Sequence, residues 1–453
     1  MIRVLLSFLL LLSLARTQGR ELIFSHIGNR GEQLQDAINT LYQDESGLIW
    51  FGSNSGLMMW DGTKIKSFKA IIGDSTSLVT NNVRLICGDK DGHLYIVNSS
   101  ALLEYDLRKE RFRRLFNGGV SQINYGASGL WVLRDNTLLI YNTQTSRFDI
   151  HLRFKGKFIG GALLEASNGS LFVGLRHGGM YVVDKNKKLT HYLQSEDVYA
   201  IYEDNHKNIW VCTTSSGLYR IDQQMNFTYF RHDPTNTNSM PNDNVRAIRQ
   251  DNIGNYWIGT AHGLVHYKPQ SQSFTTYTHC EFDRYSLSGS SIWALEIDAQ
   301  GSLWIGSFYG GVDCIHPEYS FCDYYTVRSD GNGISGSTVS QVCEDDQKNL
   351  WIGTEDGGLN FFNRKTETFT HYHNPYTPLA INIKTLLYDK VRQVLWVGTY
   401  GGFYRFDIDK RTFTPIEFTD NPTAATFIRS VHPYKDKILI GSRNMIHLHD
   451  PQN

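Results

Sequence analysis

The sequence predicts an all-β protein: a β-propeller of seven four-stranded blades, followed by about three blades of a second, incomplete propeller. Three observations carry this. First, the phrase Asp-x-x-Gly-x-Leu-Trp-Ile-Gly-Thr recurs, nearly complete at Asp251–Thr260 and Asp298–Ser307. At Asp346–Thr354 it reads with Asn349 in place of the glycine. Second, the tryptophan slot is filled in turn by Trp50, Tyr95, Trp131, Phe172, Trp210, Trp257, Trp304, Trp351, Trp396 and Leu439, so successive slots lie 36 to 47 residues apart. Self-similarity at that period, with several short strands per unit, marks a propeller. Third, Trp-Ile-Gly-Thr does not alternate apolar and polar, as a strand buried on both faces would not. Its glycine marks close approach of another backbone.

One unit shows the blade. Val245–Gln250 reads as a strand, Asp251–Asn255 as a turn, Tyr256–Thr260 as a second strand and Ala261–Gly263 as another turn. Leu264–Lys268 runs back, Pro269–Ser273 turns, and Phe274–Thr278 is the fourth strand. A lone blade leaves its faces wet; stacking blades in a ring buries them.

Taken in order, the chain opens with Arg3 and an apolar run from Val4 to Leu14, broken only by Ser7 and Ser13. Small residues at Ser13 and Ala15 then suit a cleavage site, so residues 1–19 read as a secretory signal peptide rather than a buried helix. At 11 residues the run is too short to span a bilayer, which takes about 20. Glu21–Ile27 resembles the last strand of a repeat and precedes any strand of its own blade. It is expected to close a first ring, residues 20–317, by completing the blade of Trp304. Phe321–Val327 would open the second propeller, residues 318–453, in the same way. Its three units, around Trp351, Trp396 and Leu439, cannot close, so the chain reads as a piece of something longer.

Composition narrows the function. Aromatics make up 13% of the residues, which suits strands, and the net charge of −1 gives no nucleic-acid footprint. The six cysteines lack zinc spacing. Cys87, Cys212 and Cys343 read as buried thiols, whereas Cys314 and Cys322 could pair across a hairpin in an oxidising compartment. No G-x-S-x-G, P-loop or H-E-x-x-H appears, so no catalytic residues, metal or cofactor are expected. His371-x-His373 and His447-x-His449 read as solvated strand faces.

The longer inter-blade segments, such as Tyr229–Ile248 with His232-Asp-Pro and Met240-Pro-Asn-Asp, run into Asp-x-x-Gly-x-x-Trp-Ile-Gly-Thr-x-x-Gly-Leu. They resemble the two-component regulator propeller repeat, as do Tyr277–Leu295, Tyr325–Val342 and Tyr372–Leu387. The resemblance covers residues 21–453. It implies the periplasmic sensor half of a hybrid two-component system of Bacteroides-like bacteria, a family anchored in the inner membrane. There two seven-bladed propellers precede a β-sandwich, a membrane helix and a histidine kinase. It further implies an oligosaccharide ligand, with signalling expected through propeller packing or a homodimer; this chain departs from the family's pattern in that no kinase and no membrane span beyond the signal peptide are expected in it. A stand-alone secreted scaffold for protein interaction, or a propeller lyase or glycosidase, are the alternatives.

Loops joining second and third strands share a face with the inter-blade loops, where repeat folds place function. In the first ring these loops hold Asn54, Arg176, His177, Ser215, His262, Phe308 and Tyr309, and in the second Glu355, Asp356 and Tyr400. A sugar site pairs aromatic platforms with planar donors, so Arg176, His177, His262, Phe308, Tyr309 and Tyr400 are the candidate ligand residues. The phrase tryptophans are expected in the core.

Overall fold

The computed structural model describes residues 22–452, apart from 30–31, 90, 144, 156–158, 282, 317–324, 328–330 and 419–425. The leader expected at 1–19, Cys322 and the first half of the strand expected at Phe321–Val327 lie outside the described residues. Among the described residues, apart from one short 3-10 turn at Pro378–Ile381, the regular elements are antiparallel strands. The chain divides into two units, Met1–Cys322 and Asp323–Asn453.

The first unit contains seven four-stranded sheets. Their inner strands are Ile38–Gln43, Val83–Gly88, Gln122–Gly126, Gly160–Glu165, Val198–Glu203, Val245–Gln250 and Ile292–Ile297. Each touches the next, and the seventh touches the first, so the ring is closed. Six blades are built from consecutive strands. In the seventh, Ile292–Ile297, Leu303–Ser307 and Gly311–Ile315 are completed by Ser25–His26 from the start of the chain. Ser25 pairs with Cys314 and His26 with Asp313. The closing strand is shorter than Glu21–Ile27 because the Phe24 amide donates to Tyr285 O, in the preceding inter-blade loop, instead. Cys314 is thus flanked across strands by Trp304 and Ser25.

The core is a set of blade interfaces. Ile38, Phe51 and Met58 of the first blade pack with Ala294, Trp304 and Val312 of the seventh, and six similar clusters join the remaining neighbours. The second strands are buried along their whole length in the Trp50, Trp210, Trp257 and Trp304 blades. The glycine of the Trp50, Trp257 and Trp304 strands does sit at a close approach, but the nearest neighbour is a side chain rather than a backbone. A Cβ on Gly306 would lie 2.6 Å from Cγ2 of Ile38, the residue that opens the next blade's inner strand. Gly259 stands in the same relation to Ile292.

The repeated aspartate does more than form a turn. In the first blade Asp44 Oδ1 accepts from the Ser46 and Leu48 amides, and Oδ2 accepts from Trp50 Nε1 at 2.7 Å. Asp204 and Asp298 bind Trp210 and Trp304 in the same way, each at 2.8 Å. One carboxylate thus pins the turn to the blade's largest side chain, which explains the six-residue spacing from Asp to Trp. The Trp351 blade corrects the sequence register by one residue. Asp345, not Asp346, accepts from Trp351 Nε1, and Lys348 takes the left-handed turn position assigned to Asn349.

In the second unit, Val339–Glu344, Leu350–Thr354, Gly358–Asn363 and Thr368–Tyr372 form one four-stranded sheet. Ile383–Asp389, Val394–Thr399, Gly402–Asp407 and Thr412–Pro415 form another. Ser430–Tyr434, Lys437–Gly441 and Ile446–His449 make a three-stranded sheet. Their inner strands touch in sequence order, the first against the second and the second against the third.

Candidate functional site

Six of the seven inner strands in the first unit carry a register shift near their start, and each shift leaves one extra residue. Those residues are Asn39, Arg84, Gly161, Tyr199, Arg246 and Trp293. A bulge re-aims the side chain it carries and bends the strand locally. Here all six residues line one cavity of about 470 Å³ on the ring axis, to which every blade contributes. Gln122 lines it from the third blade, whose inner strand has no shift, and its Nε2 donates to Gly161 O. A cavity of this size falls in the range of about 300–1,000 Å³ typical of small-molecule sites.

Its wall is built of stacked cations and aromatics. The Arg176 guanidinium lies 4.2 Å from the Tyr199 ring centroid, and that of Arg246 lies 4.8 Å from the Trp293 ring. Trp293 stacks on Phe308 at 4.6 Å and 11°, and Phe308 meets Tyr309 at 4.0 Å. Arg246 donates from Nε to Asn244 Oδ1 and from Nη1 to Ser291 Oγ, both neutral partners. Burial, aided by the nearby Arg176 charge and opposed by Tyr199, holds the Arg246 pKa below its ordinary value. Arg249 also lines the cavity but is committed to Glu296 at 2.9 Å. The indole N–H of Trp293 is buried with no acceptor among the described residues.

The sequence-derived candidates separate on this geometry. Arg176 lines the cavity, while Phe308 stacks on Trp293 and Tyr309 packs on Phe308 without either being among the lining residues. Tyr309 is 72% exposed and takes a left-handed backbone (φ 70°), an uncommon conformation for an aromatic residue. His177 is also left-handed, and its side chain is 83% exposed, 3.8 Å from Asp197. His262 is exposed, its amide donating to Thr260 Oγ1. Neither histidine lines the cavity. Asn54 accepts from the side-chain amides of Asn39 and Asn82, knitting the first two blades at the rim. Tyr400 belongs to the second unit, where its ring packs 3.9 Å from Phe427.

Sequence reasoning missed Arg246, Tyr199, Trp293, Arg84 and Asn39. The signal was there: a β-branched residue opens these inner strands (Ile38, Val83, Val198, Val245, Ile292), and the next residue differs from unit to unit. Within these inner strands the constant first position makes core, and the variable position after it lines the cavity.

Among the described residues no three His, Cys, Asp or Glu side chains gather to hold a metal. His371 Nε2 pairs with Gly333 O and the His449 ring lies against Trp396. Burial pushes the Cys212 and Cys343 thiols up to about 12. No helix among the described residues is long and apolar enough to cross a membrane.

Comparison with known proteins bears out the repeat. The two-component regulator propeller model matches residues 192–215, 239–262, 286–309 and 333–356, so the chain carries these repeats. Each match ends in a second-to-third-strand loop and includes a whole inner strand. No curated protein matches the chain. Among solved structures, the extracellular domain of a hybrid two-component system from B. thetaiotaomicron superposes with a TM-score of 0.69 at 21% identity, over 95% of this chain and 66% of that one. A second such domain from the same organism gives 0.56 at 18%, over 96% and 59%. The chain therefore spans about three fifths to two thirds of these domains. Virginiamycin B lyase from Staphylococcus aureus gives 0.53 at 12%, over 65% of this chain and 99% of that one. At these identities the likeness is one of fold.

Proposed function

We propose that the chain is the extracytoplasmic ligand-sensing region of a hybrid two-component sensor. In this reading it recognises an oligosaccharide and signals to a histidine kinase outside these residues. The observation that carries it is the coincidence of two features: the regulator propeller repeats, and an axial cavity lined by the residues that vary between them. Residues 1–19 direct export and are removed, 20–317 form the sensing ring, and 318–453 begin the second propeller. A propeller places binding residues on a rigid ring, so a ligand that contacts several blades alters how the ring packs against a partner. Signalling through a homodimer belongs to the same reading.

Similarity to the lyase adds nothing beyond fold, because Arg and Tyr are the only ionisable side chains among the described residues lining the cavity. That set supplies no general base near neutral pH.

The test is a binding screen of the purified chain against neutral and acidic oligosaccharides, read by thermal shift and calorimetry. Saturable binding that is lost in Trp293→Ala is expected. Binding to none of them, or binding indifferent to that substitution, would sink the sensing site.

A further inference from the structure

The charge of the cavity names its ligand more closely than the fold does. Four arginines line it, and no carboxylate does among the described residues. Only Arg249 is neutralised at close range, by Glu296. Arg176 stands 3.7 Å from Asp197, a loose pair, and Asp197 accepts from Thr214 Oγ1 through its other oxygen. Arg84 is exposed and makes one long bond of 3.4 Å to Ser121 O. Arg246 is half-buried, bonded only to neutral groups, and feels the charge of Arg176. Holding like charges together in a partly desolvated site is unfavourable unless an anion completes it. Guanidinium forks suit planar or tetrahedral oxyanions, which they grip through paired N–H donors. The two stacked pairs, Arg176 on Tyr199 and Arg246 on Trp293, present those forks beside aromatic faces.

We infer that this cavity is an oxyanion site: Arg176, Arg246 and Arg84, backed by Tyr199 and Trp293, take the carboxylate or sulfate of an acidic oligosaccharide. The inference rests on the sensor reading above and restricts it to anionic ligands.

The test uses the full chain with three probes: trigalacturonic acid, a chondroitin sulfate disaccharide and neutral galactotriose. Calorimetry should show at least one acidic probe binding about tenfold or more tighter than the neutral one, with affinity falling as salt rises. The two acidic probes distinguish carboxylate from sulfate. Arg246→Ala should weaken that binding about tenfold or more, and Arg246→Lys should restore part of it. Arg84→Gln guards against misfolding, because Arg84 makes so little contact with the protein; it should weaken binding while leaving the melting curve unchanged. Equal affinity for acidic and neutral probes, or unaltered binding in the Arg246 and Arg84 variants, overturns the inference. Binding of the neutral probe alone overturns it and leaves the sensor reading intact, whereas binding of none overturns both.

Discussion

At the scale of single residues, the aspartates of the repeat are its hardest-working side chains. Asp298 accepts from the Gln300 and Ser302 amides and from Trp304 Nε1. Hydrogen bonds to a charged group contribute about 1.5–3 kcal/mol each, and donors left buried and unpaired are costly. Asp298→Ala should therefore lower the unfolding free energy by about 3 kcal/mol or more, measured by chemical denaturation of the full chain. A change below about 1 kcal/mol would mean that water replaces the carboxylate without loss. Two further residues give the ring a pH dependence. Burial of Asp204 works to raise its pKa, but bonds from Asn208, Trp210 and Tyr256 outweigh this and hold it below the ordinary value. A lowered carboxylate contributes stability that is complete above its unfolded value and lost as pH falls through the folded one. His26 has the opposite sense: its hydrogen bond with Asp313 raises its pKa against burial. Its contribution is complete below the unfolded value near 6.5 and fades as pH rises through the folded one. Melting temperature should fall between pH 6 and pH 9, and His26→Gln should flatten that fall. An unchanged slope in the variant would show that the clasp carries no proton-linked stability.

At the scale of elements, two joints decide whether the ring stays shut. One is the contact of Gly306 with Ile38. A methyl group there would stand 2.6 Å from Ile38 Cγ2 and 3.0 Å from its Cβ, so the strands must part. Gly306→Ala should cost about 1–3 kcal/mol, as overpacking does, and Ile38→Ala in the same chain should recover part of it. Additive losses would show that the two residues are not in conflict. The other joint is the closing strand itself. Removing residues 22–27 deletes the pairing of Ser25 and His26 and uncovers Phe24 and Ile27 contacts across two blade interfaces. The first unit should then melt well below the intact chain, while equal melting would mean that the seventh blade holds with three strands. Much of this was legible in the sequence, because the period of Trp slots counts blades and the orphan near His26 announces closure. The second strand Tyr256–Thr260 was read to the residue, and the outer strands to within one. The channel wall was not legible to the same degree. Within a single unit a β-bulge leaves no composition signal, so Arg246 and Trp293 looked like ordinary members of an alternating strand, and only laying the units against one another shows that this position varies. Loop tips such as His177 and His262 drew attention by being polar, although exposure alone does not aim a side chain at the axis.

At the scale of the whole molecule, the two units treat equivalent positions differently. Ile38 and Leu41 open the first blade of the ring at 0% and 5% exposure, whereas Val339 and Val342 hold those places in the second unit at 47% and 46%. Ile446 and Leu448, on the last strand, are 73% and 51% exposed. Three blades in an arc have two interfaces between them, and among the described residues two clusters span blades, around Trp351 with Phe406 and around Trp396 with Ile440, while a small third one, Ile334 with Ile352 and Phe362, covers part of the first of these blades. The ring has seven interfaces for seven blades. An uncovered blade face and an unpaired strand edge both lower local stability and invite association. Opening of such a unit requires only its own modest free energy rather than that of the ring. In limited proteolysis of the purified chain, cuts between residues 323 and 453 should therefore appear first and leave a resistant fragment that contains residues 22–316. Size-exclusion at rising concentration should show self-association that disappears once residues 323–453 are removed. Equal resistance of both units in a monomeric sample would mean that the arc is covered by contacts other than a neighbouring blade, and the contrast between Ile38 and Val339 would then carry no energetic weight.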